Sequence, residues 1–68
     1  MYVYGYLLMI DRILRRPEVQ HVTGLGRSAL YLAIQEGRFP RPVKLGPRSV
    51  GWRESDVKRW IDERTEAM

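Results

Sequence analysis

The sequence predicts a small α+β domain built from three helices and a two-stranded β-hairpin. Three observations lead to this fold class: a helical stretch bounded by glycines at 24, 26 and 37, two short alternating strands around a proline turn at 46–49, and an amphipathic stretch with an acidic first turn from 54 onwards. The 68 residues are enough for one domain. A chain of this length buries only about 60% of its unfolded surface, so the core must be thin.

The second of the three helices, predicted between Gly26 and Gly37, organises the rest of the chain. Gly24 provides the tight turn before it, because a residue without Cβ adopts positive φ at little cost. Gly26 suits the N-cap, and Gly37 suits the C′ position that ends the helix. Apolar residues recur at i, i+3 and i+4, which predicts one buried stripe. The stripe consists of Leu30, Ala33 and Ile34.

The other face of this helix is polar. Arg27 and Ser28 stand in its first turn, Tyr31 follows one turn later, and Gln35 lies near its end. A short basic and hydroxyl-bearing face near a helix N-terminus is typical of the recognition helix of a helix-turn-helix.

The first helix is predicted to run from Pro17, which needs no N–H at the first helical position, to the turn at Gly24. Arg16 is placed just before it, because a residue that precedes proline avoids the right-handed helical region. The apolar side chains expected to point into the domain around this helix are Ile10, Ile13, Leu14, Val19, Val22 and Leu25.

A β-hairpin is predicted after the second helix. Residues 43–45 and 50–52 alternate as two strands, and the stretch Gly46-Pro47-Arg48-Ser49 carries turn chemistry between them. Arg48 therefore lies at or near the tip of the hairpin. Phe39, just before the hairpin, is expected to fill the core beneath the second helix.

The last helix is predicted to open at residues 54–56, where acids complement the positive helix N-terminus. Trp60 and Ile61 are expected to close the core over the first helix and the hairpin. Trp52 and Trp60 are also compatible with stacking on single-stranded nucleic acid, but their places in a strand and on an apolar helix stripe favour the core. Together the elements predict a winged helix-turn-helix, whose wing is the hairpin.

Residues 1–9 form a Tyr-rich extension ahead of the domain, which is assigned residues 10–68. Tyr2, Tyr4 and Tyr6 recur with period 2, which favours an extended segment. A single strand is not stable alone, so three alternatives remain: the segment docks on the domain, pairs with a second copy, or frays. A fourth is that Met9 is the biological start.

Positive charge is concentrated in the middle of the chain. Residues 12–53 hold nine bases and two acids, a net charge of +7, and eight of these bases are Arg. Residues 54–68 hold three bases and five acids, a net charge of −2. A basic middle favours a polyanionic partner, and Arg favours bidentate contact with phosphate or guanine.

Several other function classes find no support in the sequence. With no cysteine and one histidine, His21, the chain is not expected to hold a disulfide, a metal or another cofactor. Ser28 has no His or Asp at a motif spacing, so we expect no enzyme. No apolar run has the length of a membrane span, and the first residues lack the signal-peptide pattern. The expectation is a cytoplasmic protein without a membrane partner.

Five stretches occur in order and at nearly uniform spacing between Ile13 and Arg64. They are Gly24-Leu25-Gly26-Arg27-Ser28-Ala29-Leu30-Tyr31, Glu36-Gly37-Arg38-Phe39-Pro40, Pro42-Val43-Lys44-Leu45-Gly46, Val50-Gly51-Trp52-Arg53, and Val57 to Trp60-Ile61. Together they resemble the AlpA family, small regulators of prophages and mobile elements with a MerR-like winged-helix fold. Gly26, Ala29 and Leu32 depart from the Ser, Thr and polar or basic residue that are usual in the family.

The resemblance implies DNA binding, by a transcription regulator or by an excisionase. An excisionase is a recombination directionality factor that bends attachment-site DNA and helps an integrase to remove the element. One small domain has a limited DNA footprint, so several copies are expected to bind cooperatively, through residues 1–9 or Leu32. A tyrosine integrase is a further candidate partner.

Double-stranded DNA is the expected ligand, and seven residues are candidates for contacting it. Arg27 and Ser28 are assigned to a base edge or a phosphate in the major groove. Arg48 is assigned to the minor groove or to phosphates. Tyr31 either reaches a phosphate or packs at the edge of the core. Phosphate contacts that do not depend on base sequence are assigned to Arg16, Arg41 and Lys44.

The alternative function is a protein-interaction adaptor that docks on an integrase or a polymerase and contacts DNA only weakly. Its support is the acidic last helix together with the exposed Leu32 and tyrosines. Steep salt dependence of DNA binding would favour the DNA-binding protein, and a flat response would favour the adaptor.

Overall fold

The computed structural model describes residues 10–67. Within that range the chain forms β1 (Ile13–Leu14), α1 (Arg16–Thr23), α2 (Arg27–Gln35), β2 (Val43–Gly46), β3 (Ser49–Arg53) and α3 (Glu54–Asp62). Three helices with a small antiparallel sheet confirm the predicted fold class. The hypotheses for residues 1–9 lie outside the described part of the chain.

The turn between α1 and α2 has the predicted form. Gly24 adopts φ 76°, and its N–H donates to the carbonyl of Gln20 at 2.9 Å, which ends α1. Thr23 joins the two sides of the turn: its hydroxyl donates to the carbonyl of Val19 at 2.6 Å and accepts the N–H of Leu25 at 3.3 Å. Gly26 then serves as the N-cap of α2.

The C-terminal end of α2 is a Schellman motif. Gly37 adopts φ 77° and donates its N–H to the carbonyl of Ile34 at 3.1 Å. The N–H of Arg38 donates to the carbonyl of Ala33 at 2.8 Å. These two bonds satisfy carbonyls that the helix itself leaves free. The predicted stop at Gly37 is therefore confirmed.

The sheet has three strands in the order β1-β3-β2, one more than the predicted hairpin. β1 pairs antiparallel with β3, with Leu14 opposite Trp52. β2 also pairs antiparallel with β3, with Val43 opposite Gly51 and an irregular register around Leu45. A two-residue turn at 47–48 joins β2 to β3, so the position predicted for Arg48 is confirmed.

One core joins all three helices to the sheet. Its buried side chains are Leu14, Val19, Leu30, Ala33, Phe39, Trp52 and Val57. Leu25, Ile34 and Trp60 pack against it while remaining partly exposed. The rings of Phe39 and Trp60 meet edge to face with centroids 5.1 Å apart. The predictions for Phe39 and for Trp52 as core residues are confirmed.

Four apolar side chains predicted to face the core do not do so. Val22 is 49% exposed, and Ile10, Ile13 and Ile61 are also exposed. Neighbouring residues of a strand point to opposite faces, so burial of Leu14 turns Ile13 outward. Val22 lies one residue from the end of α1, and both Val22 and Ile61 face a groove between α1 and α3.

The start of α1 also differs from its prediction. Arg15 is the N-cap, and Arg16 is the first residue of the helix rather than the residue before it. Pro17 therefore occupies the second helical position, where its missing N–H is still of no cost. Glu18 accepts the N–H of Arg15 at 3.0 Å through Oε1, which fixes the first turn.

Candidate nucleic-acid interface

The polar face of α2 is exposed as predicted. Arg27 and Ser28 occupy the first turn after the N-cap, and Tyr31 is 44% exposed one turn later. At 3.6 residues per turn, these three residues and Gln35 fall within an arc of about 100°. Leu30 and Ala33, which are buried, lie outside that arc. The helix thus presents a guanidinium, a hydroxyl and a phenol side by side at its N-terminal end.

The hairpin carries the second group of predicted residues. Lys44 projects from β2 opposite Val50, and Arg48 lies in the turn; both side chains are exposed. Pro47 fixes its own φ beside Arg48, which stiffens the tip. Arg41 is exposed in the segment that leads into β2.

The core holds the hairpin and α2 on one scaffold. Leu30 and Ala33 of α2 share a buried cluster with Trp52 of β3. The indole N–H of Trp52 also donates to the carbonyl of Pro40 at 2.9 Å, which ties β3 to the segment that follows α2. The six exposed candidates on α2, on the segment after it and on the hairpin are together called the basic surface; they are Arg27, Ser28, Tyr31, Arg41, Lys44 and Arg48.

Arg16 differs from the other candidates. It is half-buried at the start of α1, and its Nε atom is buried without a hydrogen-bond partner among the described residues. Its stem therefore packs against the domain.

Ion pairs within residues 10–67 engage some of the basic residues but none of the basic candidates. Within residues 10–67 the ion pairs involve Arg12, Arg38, Lys58 and Arg59 as the basic partners. None of the five basic candidate residues takes part in one. These residues are Arg16, Arg27, Arg41, Lys44 and Arg48. The charges of the candidates are thus not neutralised by the described part of the chain.

The two acids next to Arg53 in the sequence pair with other residues. A guanidinium nitrogen of Arg12 lies 3.5 Å from a carboxylate oxygen of Glu54, and one of Arg59 lies 3.5 Å from a carboxylate oxygen of Asp56. Arg53 is the N-cap residue of α3.

Asp11 has a structural function that the sequence did not reveal. Its Oδ1 accepts the backbone N–H of Ser55 at 3.0 Å, and its Oδ2 accepts the hydroxyl of Ser55. The hydroxyl bond, the N–H bond and the positive charge of Arg53 hold the pKa of Asp11 below its ordinary value. Asp11 thus supplies from a distance the N-terminal cap that α3 lacks locally.

Arg15 is a further basic residue that sequence reasoning omitted. It is exposed beside Arg16 and has no ion pair within the described residues. The adjacent pair of arginines is the signal that would have included it.

Residues 10–67 contain neither a metal-binding cluster nor a membrane-spanning helix. No group of three or more His, Asp or Glu side chains there is arranged to hold a metal ion. No helix in that range is long and apolar enough to cross a membrane.

Comparison with known proteins gives the family. The family model described as prophage CP4-57 regulatory protein (AlpA) matches residues 12–65. The chain belongs to the AlpA family. The match covers every helix and strand of the AlpA-type domain seen here, from β1 to α3.

Two relatives of known sequence are similar to this AlpA family member. The chain is 36% identical over 59 residues to the DNA-binding transcriptional activator AlpA of Escherichia coli strain K12. This match covers 78% of this chain and 84% of the E. coli protein. The chain is also 47% identical over 51 residues to the uncharacterized protein ORF88 of Enterobacteria phage P4. This match covers 75% of this chain and 58% of the phage protein. The chain thus spans less than two thirds of the length of ORF88. No solved structure matches the chain.

Proposed function

We propose that the protein is a DNA-binding transcriptional regulator of the phage type, with α2 in the major groove and the hairpin on the adjacent groove or backbone. One observation carries the proposal. The basic residues of α2 and the hairpin are exposed and have no ion-pair partner within residues 10–67, whereas Arg12, Arg38, Lys58 and Arg59 do. Membership of the AlpA family supports it, and the E. coli relative is named as a DNA-binding activator.

The roles follow from chemistry and position. Arg27 and Ser28 project from the end of the helix that enters the major groove in this motif, so they are proposed to contact base edges or phosphates. Tyr31, one turn on, is proposed to donate its phenol proton to a phosphate. Phosphate contacts independent of base sequence are proposed for Arg16, Arg41, Lys44 and Arg48.

These four phosphate contacts set a measurable salt dependence. Each one releases condensed counterions, so log K falls by about 0.9 per unit of log salt for each contact. Four contacts give a slope of about −3.6. We expect this slope for a duplex of random sequence, and tighter binding with extra base contacts for a duplex selected from a sequence library.

The experiment compares two arginines that carry the same charge. Arg48→Ala removes an arginine side chain that has no ion pair within the described residues. The control, Arg59→Ala, removes an arginine side chain that pairs with Asp56 at 3.5 Å. Fluorescence anisotropy over a salt series should give Arg48→Ala a slope smaller by about 0.9, with Arg59→Ala like the parent. Equal slopes for the two variants would contradict the assignment of the hairpin. A flat slope for the parent would favour the adaptor hypothesis.

The excisionase role is a second proposal on the same surface. A single domain of this size makes few DNA contacts, which favours several copies on one site, and such an array suits DNA bending. Deleting the gene and measuring excision of the host element tests this role, and a promoter–reporter assay tests transcription regulation. Loss of excision with unchanged reporter activity would assign excision as the function. The reverse result would assign regulation, and would leave no need for a tyrosine integrase as partner.

A further inference from the structure

An apolar groove lies between α1 and α3 and takes no part in the basic surface. Its volume is about 700 Å³. Leu14 and Val57, both buried, form its floor, while Val22 and Ile61 line its walls and remain 49% and 38% exposed. Leaving two large aliphatic side chains this exposed in so small a domain is unfavourable, because apolar surface favours burial. The groove therefore lacks an apolar occupant within residues 10–67.

The charged residues around the groove are already satisfied. Arg12 pairs with Glu18 at 3.7 Å and with Glu54 at 3.5 Å. Lys58 pairs with Asp62 at 2.9 Å, one turn further along α3. An occupant that brought its own charges would have to break these pairs or remain unpaired. The groove is thus suited to an uncharged, apolar segment.

The chain itself leaves the described domain at the rim of this groove. Asp11 and Arg12 both line it. Both are fixed to the start of α3: Asp11 accepts two hydrogen bonds from Ser55, and the carbonyl of Arg12 accepts the N–H of Glu54 at 2.7 Å. The residues that precede Ile10 therefore start beside the groove.

The preceding nine residues have the required composition and length. Residues 1–9 are Met-Tyr-Val-Tyr-Gly-Tyr-Leu-Leu-Met, with no charged side chain and only one residue, Gly5, that is neither apolar nor aromatic. Nine extended residues span up to about 30 Å. α1 and α3, with eight and nine residues, are only about 12 to 14 Å long. The segment is long enough to follow the whole groove.

We propose that residues 1–9 dock in the groove between α1 and α3 of the same chain and cover Val22 and Ile61. This proposal does not depend on the proposed DNA-binding function, since the groove is lined by other residues than the basic surface. A second copy of the chain and a separate protein are the other occupants, and the experiment distinguishes both from the first.

The experiment uses the full chain with one spin label. Because the chain has no cysteine, Tyr4→Cys provides a single attachment point for a nitroxide. In the ¹⁵N-labelled protein we expect the nitroxide to weaken the amide signals of His21, Val22 and Ile61. Each signal should lose more than half of the intensity that it has after the nitroxide is reduced. The amide of Arg48 at the hairpin tip should lose much less. Dilution should leave this pattern unchanged.

Two matched variants test the groove itself. Ile61→Glu places a charge in the groove and should abolish the broadening of the groove amides. Val50→Glu places the same charge on an aliphatic residue of β3 that is 44% exposed and lies outside the groove, so the broadening should persist. If circular dichroism shows that Ile61→Glu does not fold, Val22→Ser serves in its place. Broadening that persists equally in the groove variant and in Val50→Glu would overturn the proposal.

A mixed sample tests whether residues 1–9 dock on a second copy of the chain rather than on their own domain. ¹⁵N-labelled protein without nitroxide is combined with unlabelled protein that carries it. Unchanged groove signals in this mixture support docking within one chain. Broadening in the mixture would show docking on a second copy and overturn the proposal. Groove signals unchanged in both samples would also overturn it and leave the groove to a separate protein.

Discussion

Gly51 is a position at which the sheet leaves no room for a side chain. It lies in the central strand β3, buried beneath the side chains of both neighbouring strands. A Cβ added there would come within 2.5 Å of Cγ2 of Ile13, 3.0 Å of the carbonyl oxygen of Leu14 and 3.3 Å of Cδ1 of Leu45. Cγ2 of Ile13 is held close to the backbone of β1, and the carbonyl is backbone itself. Gly51→Ala therefore has to push β1 away from β3.

The cost of this displacement can be estimated. Overpacking by one methyl group typically costs about 1–3 kcal/mol, and replacing Gly by Ala returns about 0.4–1 kcal/mol by restricting the unfolded chain. The net loss is about 1–2 kcal/mol. A domain of this length has a stability of roughly 3–10 kcal/mol, so the loss is a substantial fraction. The melting temperature should fall by about 4–8 °C for each kcal/mol.

Gly46→Ala is the matched control. Gly46 also lies in a strand, but a Cβ there meets no atom within 4 Å and its φ is not positive. This variant should be as stable as the parent or more stable by about 0.4–1 kcal/mol. Urea unfolding followed by tryptophan fluorescence measures both variants. If Gly51→Ala were as stable as Gly46→Ala, the close approach of β1 would be disproved; in an Ile13→Ala background its cost should shrink.

Three further predictions concern binding and stability. Arg27→Ala should lose about 1–3 kcal/mol of discrimination at one base position in a binding-site library, and an unchanged profile would remove Arg27 from base contact. Trp60→Ala should cost about 3 kcal/mol in urea unfolding, because it removes a half-buried ring that contacts Phe39; parent-like unfolding would contradict this. Asp11→Asn should be less stable than the parent at neutral pH. Because the pKa of Asp11 is lowered from 3.8 by folding, the difference should vanish as the pH falls through that region in thermal melts, and a difference independent of pH would refute the cap.

The elements that could be predicted from the sequence are those fixed by local signals. Gly24 and Gly37 end two helices because each adopts positive φ, which glycine does at little cost. The hairpin turn at 47–48 follows from Pro47 and its flanking strands. The burial of Leu30 and Ala33 follows from helical spacing. In each case the residues that form the feature lie within one turn or one hairpin of each other.

The features that were missed depend on contacts between distant parts of the chain. β1 consists of Ile13 and Leu14 alone, which is too short to show periodicity, and it forms only by pairing with β3 about forty residues later. The exposure of Val22 and Ile61 depends on how far apart α1 and α3 lie. The spacing of apolar residues within one helix does not reveal the distance between α1 and α3.

Some features of the candidate interface could likewise be predicted from the sequence, and others could not. Composition alone placed the positive charge in residues 12–53, and the helical pattern placed Arg27 and Ser28 on an exposed face. Which bases remain unpaired was not predictable, because Arg12 finds its acids at Glu18 and Glu54, and Glu54 is remote in sequence. The pairing of Arg12 with Glu54 therefore depends on a tertiary contact, whereas the pairs of Arg38, Lys58 and Arg59 are local.

The direction of the wing is set by residues that carry none of the proposed DNA contacts. Two distant segments, 11–14 and 52–55, are joined by the β1–β3 pairing, by the Asp11–Ser55 bonds and by the bond from Glu54 N–H to the carbonyl of Arg12. This junction fixes β3 against the segment that leads into α1, while Trp52 fixes it to the residues after α2. Because a rigid hairpin is positioned by its base, a shift of the junction moves Arg48 relative to Arg27. DNA affinity should therefore respond to Gly51 through geometry as well as through stability.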